Sequence, residues 1–147
     1  MRRALLTAIA SLCVAAPAMA DTIGVLRDNT LLLREVSGKT YTILIKEGVE
    51  LEQVNSAGMW ARGFWAIEDG KFCWTARGES KVCINMPTDK HVGDTWEING
   101  PTGKRVWTAE IQAGRADLEA VGKAIKARGS ADAAAAAVEA LDADDKE

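Results

Sequence analysis

The sequence predicts a mainly β protein, an antiparallel meander of about seven strands that curls into a barrel-like or sandwich shape before a C-terminal helical tail. Over residues 39–111, short segments rich in β-branched and aromatic residues are separated by glycine-containing turns. No long crossover connection, which parallel strands would need, lies between these segments. After Gly114, apolar residues recur at the spacing of a helix.

Residues 31–36 fit two interpretations. The sequence Asp28-Asn29-Thr30 resembles a helix cap in front of a short apolar turn, and Ser37-Gly38 would end that helix. The three leucines that open the segment are also compatible with a strand. A short helix and a strand therefore remain as alternatives at this point of the chain.

From residue 39 onward, the expected strands follow one another as hairpins. Asp69-Gly70 between two apolar runs is a strong hairpin signal. Pro87 ends a strand because proline has no N–H to donate to a ladder. The expected strands span residues 40–45, 49–54, 59–67, 71–76, 81–86, 94–98 and 105–111.

Two helices are expected after the strands. Helical spacing of apolar residues predicts the first over 116–127, and Arg128-Gly129 would end it. Ser130 is suited to cap a second helix over 131–141, which is mostly alanine and offers little to pack. The acidic residues that follow lie at a helix C-terminus, where the macrodipole disfavours them.

Residues 1–20 have the pattern of an export signal. Two arginines follow the initiator methionine, residues 4–16 are uncharged and mostly apolar, and Ala18-Met19-Ala20 forms a small-residue cleavage site. The apolar stretch is too short to span a bilayer. We therefore expect a mature protein that begins at Asp21, has no membrane anchor and is periplasmic or secreted.

Cys13 within this segment raises the alternative of a lipid anchor. Bacterial lipoprotein sites have a small residue directly before the cysteine, whereas Leu12 precedes Cys13. The better cleavage site also lies downstream. We expect Cys13 to be removed together with the signal.

The charge of the expected mature chain is concentrated in its tail. Removing residues 1–20 takes two arginines and no acids from a chain of net charge −3, which leaves −5. Residues 130–147 contain six acids and one lysine, so residues 21–129 are neutral overall. No basic stripe is present to neutralise phosphates, which argues against nucleic-acid binding. We expect a β-meander domain over 21–114 and a helical, partly flexible acidic tail over 115–147.

Cys73 and Cys83 are the two cysteines of the expected mature chain, and we predict a disulfide between them. An even cysteine count in an oxidising compartment favours a bridge. Gly78 lies midway between the cysteines, so a symmetric hairpin would place them opposite each other at a distance that a disulfide can span. The Cys-x-x-Cys spacing of redox enzymes is absent.

Five tryptophans lie in the region of the expected strands, beside two phenylalanines and one tyrosine. Large rings commonly fill the core of a small β-structure, and this is the simpler interpretation for all five tryptophans, Trp96 and Trp107 included. An indole can also line a ligand cavity, since it offers an apolar body and one hydrogen-bond donor. Trp60, Trp65 and Trp74 are the candidates for ligand binding.

Catalytic and metal-binding residues are not apparent in the sequence. His91 is the single histidine, and no second histidine or free thiolate is available to share its chemistry. Glu68, Asp69 and Asp89 fall in expected turns, where acids are usually solvated. We expect no catalytic residue, no metal and no cofactor.

Gly63-Phe64-Trp65 is similar to the Gly-x-Trp signature of lipocalins. In that family the motif lies on the first barrel strand, whereas here it falls on about the third expected strand. We interpret Gly63 as the mark of a bulge or of a close backbone approach beside a bulky ring.

A wider stretch resembles an uncharacterised family of small exported bacterial proteins. The shared pattern is Gly-x-Trp, an acidic-glycine turn and two cysteines on neighbouring strands, over residues 63–83 of this chain. Asp28-Asn29-Thr30-Leu31 and Gly38-Lys39-Thr40-Tyr41 fit its opening, so the resemblance covers residues 28–85. It implies a β-meander with a disulfide, and it gives no indication of the function.

Together, these features favour a small exported binding or interaction module. Its ligand would be an unknown small molecule or an envelope protein. A structural or stress-related envelope protein is the alternative, and an enzyme that relies on carboxylates alone is a third possibility. Indole rings that line a cavity would favour a binding module, whereas indole rings packed in the core would not. The positions of the rings therefore help to discriminate between these classes.

Overall fold

The computed structural model describes residues 21–144, with side chains through residue 132. The expected signal segment and Cys13 lie outside the described residues. The described residues form two helices and eight strands: α1 Thr22–Arg27, β1 Thr30–Glu35, β2 Thr40–Ile45, β3 Glu50–Asn55, β4 Trp60–Glu68, β5 Lys71–Ala76, β6 Val82–Asn85, β7 Thr95–Asn99, β8 Arg105–Gln112 and α2 Leu118–Asp144.

The strands form one antiparallel sheet in the order β6-β5-β4-β3-β2-β1-β8-β7. Because β1 pairs with both β2 and β8, the meander curls into a nearly closed barrel whose remaining edges are β6 and β7. This confirms the prediction of a mainly β meander with a C-terminal helix and selects the barrel-like alternative. The sequence-based strand limits differ from the observed ones by no more than about two residues, the usual error of such limits.

Apolar side chains fill the inside of the barrel. Phe72 and Trp74 from β5 pack there with Trp107 from β8, and all three are buried. Inward and outward residues alternate along the strands, as closure of a small barrel requires. The remaining buried members of this core are Leu26, Leu31, Leu33, Ile43, Ile45, Leu51, Ile84, Ile98, Ala109 and Ile111.

Residues 30–35 form strand β1, so the strand alternative for this segment is correct and the helix alternative is wrong. Leu31 and Leu33 are fully buried while Leu32 between them is not, which is the period of a strand. Pairing on both sides supplies more backbone hydrogen bonds than an isolated short helix could gain. The capping pattern at residues 28–30 instead follows helix α1.

Helix α1 was not anticipated from the sequence. The Asp21 carboxylate accepts a hydrogen bond from the Ile23 N–H at 3.1 Å, which caps the helix. Leu26 is fully buried in the barrel core. The Lys90 N–H donates to the Thr22 hydroxyl oxygen at 3.1 Å, so the β6–β7 connection is fastened to this helix. The sequence signal that could have predicted α1 is Asp21, a capping residue directly before a short apolar segment.

Helix α2 is continuous for 27 residues, so the predicted break at Arg128-Gly129 is wrong. The Ser130 hydroxyl donates to the Lys126 carbonyl at 3.0 Å and thus continues the helix instead of capping a new one. A single glycine in an alanine-rich helix costs about 1 kcal/mol, which does not end it.

The first turns of α2 dock on the outside of the barrel. Leu118 packs with Leu44 and Val54, which face outward from β2 and β3 and are buried under the helix. Gly58 and Gly122 touch backbone to backbone, since a Cβ on Gly58 would lie 2.6 Å from the Gly122 carbonyl oxygen. Within the described part of the chain, no helix combines the length and hydrophobicity needed to cross a membrane.

Candidate binding site

The predicted bridge between Cys73 and Cys83 is confirmed. The two residues are paired directly across β5 and β6, with their Cα atoms 4.0 Å apart and a sequence separation of 10. Gly78 in the connecting turn has a φ of +84°, which glycine adopts without steric cost. The bridge ties the edge strand β6 to the body of the barrel.

Glu68 lies beside this bridge, and its carboxylate and the two sulfurs fall within 4.8 Å of one another. The disulfide occupies both sulfurs, so neither is a thiolate that could bind a metal. The Glu68 carboxylate forms an ion pair with the Lys81 ammonium group. Asp69, Asp89 and His91 are exposed. The backbone N–H of His91 donates to the Asp94 carboxylate at 2.9 Å.

The five indole rings occupy three different environments. Trp74 and Trp107 are core residues. Trp65 and Trp96 are half-buried against that core, and their buried indole N–H groups have no hydrogen-bond partner among the described residues. Trp60 is 50% exposed on the outside of β4. Of the three tryptophans considered for ligand binding, Trp60 therefore faces solvent, Trp74 fills the core and Trp65 stacks on Phe72.

A chain of polar contacts leads from the core to the surface. The Trp74 indole N–H donates to the Gln53 side-chain oxygen at 3.0 Å, and the Gln53 amide donates to the Glu79 carboxylate at 2.8 Å. The Asn55 amide donates to the other Glu79 oxygen at 3.1 Å. These contacts satisfy the fully buried Gln53 and fix the Glu79 carboxylate in position.

Tyr41 lies near this polar chain and its pKa is raised above the usual value of 10.0. Burial is the largest cause, followed by the negative charges of Glu79 and Glu35. Each disfavours the phenolate form. The tyrosine ring also contacts the rings of Trp74 and Trp107.

Three large side chains alternate along the outer face of β4. Trp60, Arg62 and Phe64 point outward, and the Arg62 guanidinium lies 5.2 Å from the centre of the Trp60 ring. Phe64 is 64% exposed. The intervening residues, Ala61 and Gly63, point into the barrel, as the period of a strand requires.

Phe64 and Arg62 lie beside a cleft of about 690 Å³ on the outside of β3, β4 and β5. We call this the β4 cleft. It is lined by Lys46, Glu50, Leu51, Glu52, Arg62, Gly63, Phe64, Thr75, Ala76, Arg77, Gly78 and Glu79. Its volume lies within the range of small-molecule sites.

Two rows of side chains cross the β4 cleft. In one, Phe64 is paired with Glu50 of β3 and with Thr75 of β5. In the next, Arg62 is paired with Glu52, and its carbonyl accepts a hydrogen bond from the Arg77 N–H at 2.9 Å. The first row therefore places an aromatic ring between a carboxylate and a hydroxyl, and the second places a carboxylate beside two guanidinium groups.

Gly63 permits a close approach between β4 and β5. A Cβ at this position would lie 2.1 Å from the Thr75 carbonyl oxygen and 2.8 Å from the Ala76 Cα. The register of β4 with both neighbours is unbroken here. Of the two sequence-based interpretations, the close backbone approach is correct.

Sequence reasoning identified Trp60 but missed Arg62, Phe64, Arg77 and Glu79. The signal was the alternation of large side chains at Trp60, Arg62 and Phe64, which places all three on one face of a strand. A further groove of about 420 Å³ lies between the edges β6 and β7. Another cavity of about 460 Å³ adjoins Tyr41 and Glu79.

Comparison with models of protein families, with curated proteins and with solved structures gave no match.

Proposed function

We propose that this protein is a small exported binding module, periplasmic or secreted, that holds its ligand in the β4 cleft and carries out no catalysis. The observation that supports it most is the pair of exposed aromatic rings on the outer face of β4. Phe64 lines the cleft, and Trp60 contacts Arg62, which also lines it. Exposed apolar groups rimmed by polar residues are typical of binding surfaces.

The filled barrel interior supports an outer site over an inner one. Phe72, Trp74 and Trp107 occupy the space that a ligand would need inside a barrel of this size. The β4 cleft instead combines an exposed ring with charged and polar groups. Binding sites typically pair apolar surface with a few placed polar groups.

Export is supported by the disulfide, because disulfides form and persist in oxidising compartments. The signal pattern of residues 1–20 agrees with it. N-terminal sequencing of the protein recovered from periplasm should begin at Asp21. An N-terminus at Met1, or lipid attached to Cys13, would contradict the proposed export route.

Tryptophan fluorescence tests the binding role, because the exposed Trp60 ring contacts Arg62, which lines the cleft. The purified mature protein is titrated with lipid vesicles, oligosaccharides and envelope extract. We expect one of these classes to shift the emission, and we expect Trp60→Phe to abolish the shift while Trp96→Phe retains it. No shift with any class, together with failure of a deletion strain under envelope stress, would contradict the binding role and favour the structural alternative.

A further inference from the structure

Arg62 and Arg77, the two arginines of the β4 cleft, have one ion-pair carboxylate between them among the described residues, although the lining as a whole contains three basic and three acidic side chains. Arg62 and Arg77 are neighbours across β4 and β5, joined by the backbone hydrogen bond between them. The Glu52 carboxylate is 3.6 Å from the Arg62 Nε and also forms an ion pair with Lys46 at 3.0 Å. Within the described residues, Arg77 has no ion-pair partner. Like charges on neighbouring strands are destabilising, so an anion between them would be bound favourably.

The exposed Phe64 ring lies one row away from these two arginines. Successive outward residues of a strand are about 7 Å apart, so a ligand of one ring could contact Phe64 and a guanidinium at once. A ring that packs on Phe64 must offer an apolar face. A pyranose sugar does so through the C–H groups of one side of its ring.

Hydrogen-bond acceptors surround the same ring. Glu50 and Thr75 flank Phe64 on the neighbouring strands, and Glu79 lines the cleft. Carboxylates accept hydrogen bonds from hydroxyl groups. A purely apolar ligand would displace water from these carboxylates without supplying a hydrogen-bond donor in its place.

We propose that the β4 cleft binds an acidic saccharide, with the Phe64 ring against one face of the sugar and its carboxylate held by Arg62 and Arg77. This rests on the proposed function and names the ligand class of the same site. Glu50 and Glu79 accept hydrogen bonds from the sugar hydroxyls. The ion pair between Arg62 and Glu52 loosens when the ligand carboxylate takes the guanidinium.

Backbone NMR titration tests this ligand class. The probes are methyl glycosides of glucuronate, galacturonate and mannuronate, each matched by its neutral glucoside, galactoside or mannoside. We expect at least one uronate to shift the amide signals of residues 62–64 and 75–77 and to bind at least tenfold more tightly than its neutral counterpart. Binding of the uronate should weaken as salt rises, because the attraction is partly exposed and screened.

Three variants separate the roles of the residues. Arg77→Gln should reduce uronate affinity about tenfold, equivalent to about 1.4 kcal/mol, and leave neutral binding unchanged. Phe64→Ala should weaken both sugars. Arg105→Gln makes the same charge change in an exposed ion pair outside the cleft and should leave all affinities unchanged.

Several outcomes would overturn the ligand class. Absence of binding by all three uronates, equal affinity for neutral sugars, or equally tight binding of acetate alone would each contradict it. If anionic vesicles shift the same amide signals while no uronate does, the proposed binding function stands and the proposed saccharide ligand is wrong. If no probe of any kind shifts residues 62–64, the proposed site itself is wrong.

Discussion

Replacing Cys73 and Cys83 with serine should lower the free energy of unfolding by about 2–4 kcal/mol. The bridge closes a loop with a sequence separation of 10 residues. In the chain-entropy relation, closing such a loop removes about 9 cal/mol/K from the unfolded state, which is about 3 kcal/mol at 25 °C. Cys73 is 2% exposed, so a serine hydroxyl there adds the penalty of a buried polar group.

Urea unfolding followed by tryptophan fluorescence measures this loss. Oxidised wild type is compared with the double variant and with wild type in excess reductant, and reductant should not affect the variant. Far-ultraviolet circular dichroism should show that the barrel persists, because the inward core contains neither cysteine. A loss below about 1 kcal/mol would refute the reasoning from loop entropy. Free thiols in protein from the periplasm would refute the bridge itself.

Three further predictions concern stability and titration. Truncation after Gly129 should leave the melting temperature almost unchanged, because the side chains that dock α2 precede the cut; a fall of about 4 °C or more would contradict this. Gly63→Ala should destabilise the barrel by about 1–3 kcal/mol, since the added Cβ meets backbone atoms. Gly129→Ala should be neutral or stabilising in thermal melts, because among the described residues the added Cβ meets nothing within 4 Å. The phenolate absorbance of the single tyrosine, Tyr41, should titrate above pH 10.0, and Glu79→Gln should lower that midpoint by removing a negative charge. An unchanged phenolate titration midpoint in Glu79→Gln would contradict the assigned cause. Because the folded-state pKa of Tyr41 is raised, the stability linked to its protonated form is complete below pH 10.0 and is lost as the pH rises through the folded-state pKa.

The hairpins could be predicted because they depend on local turn chemistry. Asp69 and Gly70 both have positive φ, at +49° and +73°, as a two-residue hairpin turn requires. That turn fixes the β4–β5 register, and with it the juxtaposition of Arg62 and Arg77, which lie equally far from it. The placement of Arg62 opposite Arg77 could therefore be predicted from the sequence, whereas the close approach of β4 and β5 at Gly63 could not.

Other features depended on contacts that spacing along the chain does not reveal. Residues 30–35 are a strand because β8, more than 70 residues later, pairs with them. Helix α2 continues through Gly129 because its neighbours strongly favour a helix and Ser130 bonds backward within it. Trp74 and Trp60 are on strands of similar composition, yet one is buried and the other exposed, because α2 and the barrel closure determine which faces are covered.

The central claim is that ligand binds in the β4 cleft, and amide chemical-shift mapping with the uronate and neutral glycosides tests it most directly. We expect the shifted signals to cluster at residues 62–64 and 75–77 and to disappear in Phe64→Ala. Shifts that cluster in the groove between β6 and β7, or that persist unchanged in Phe64→Ala, would contradict it.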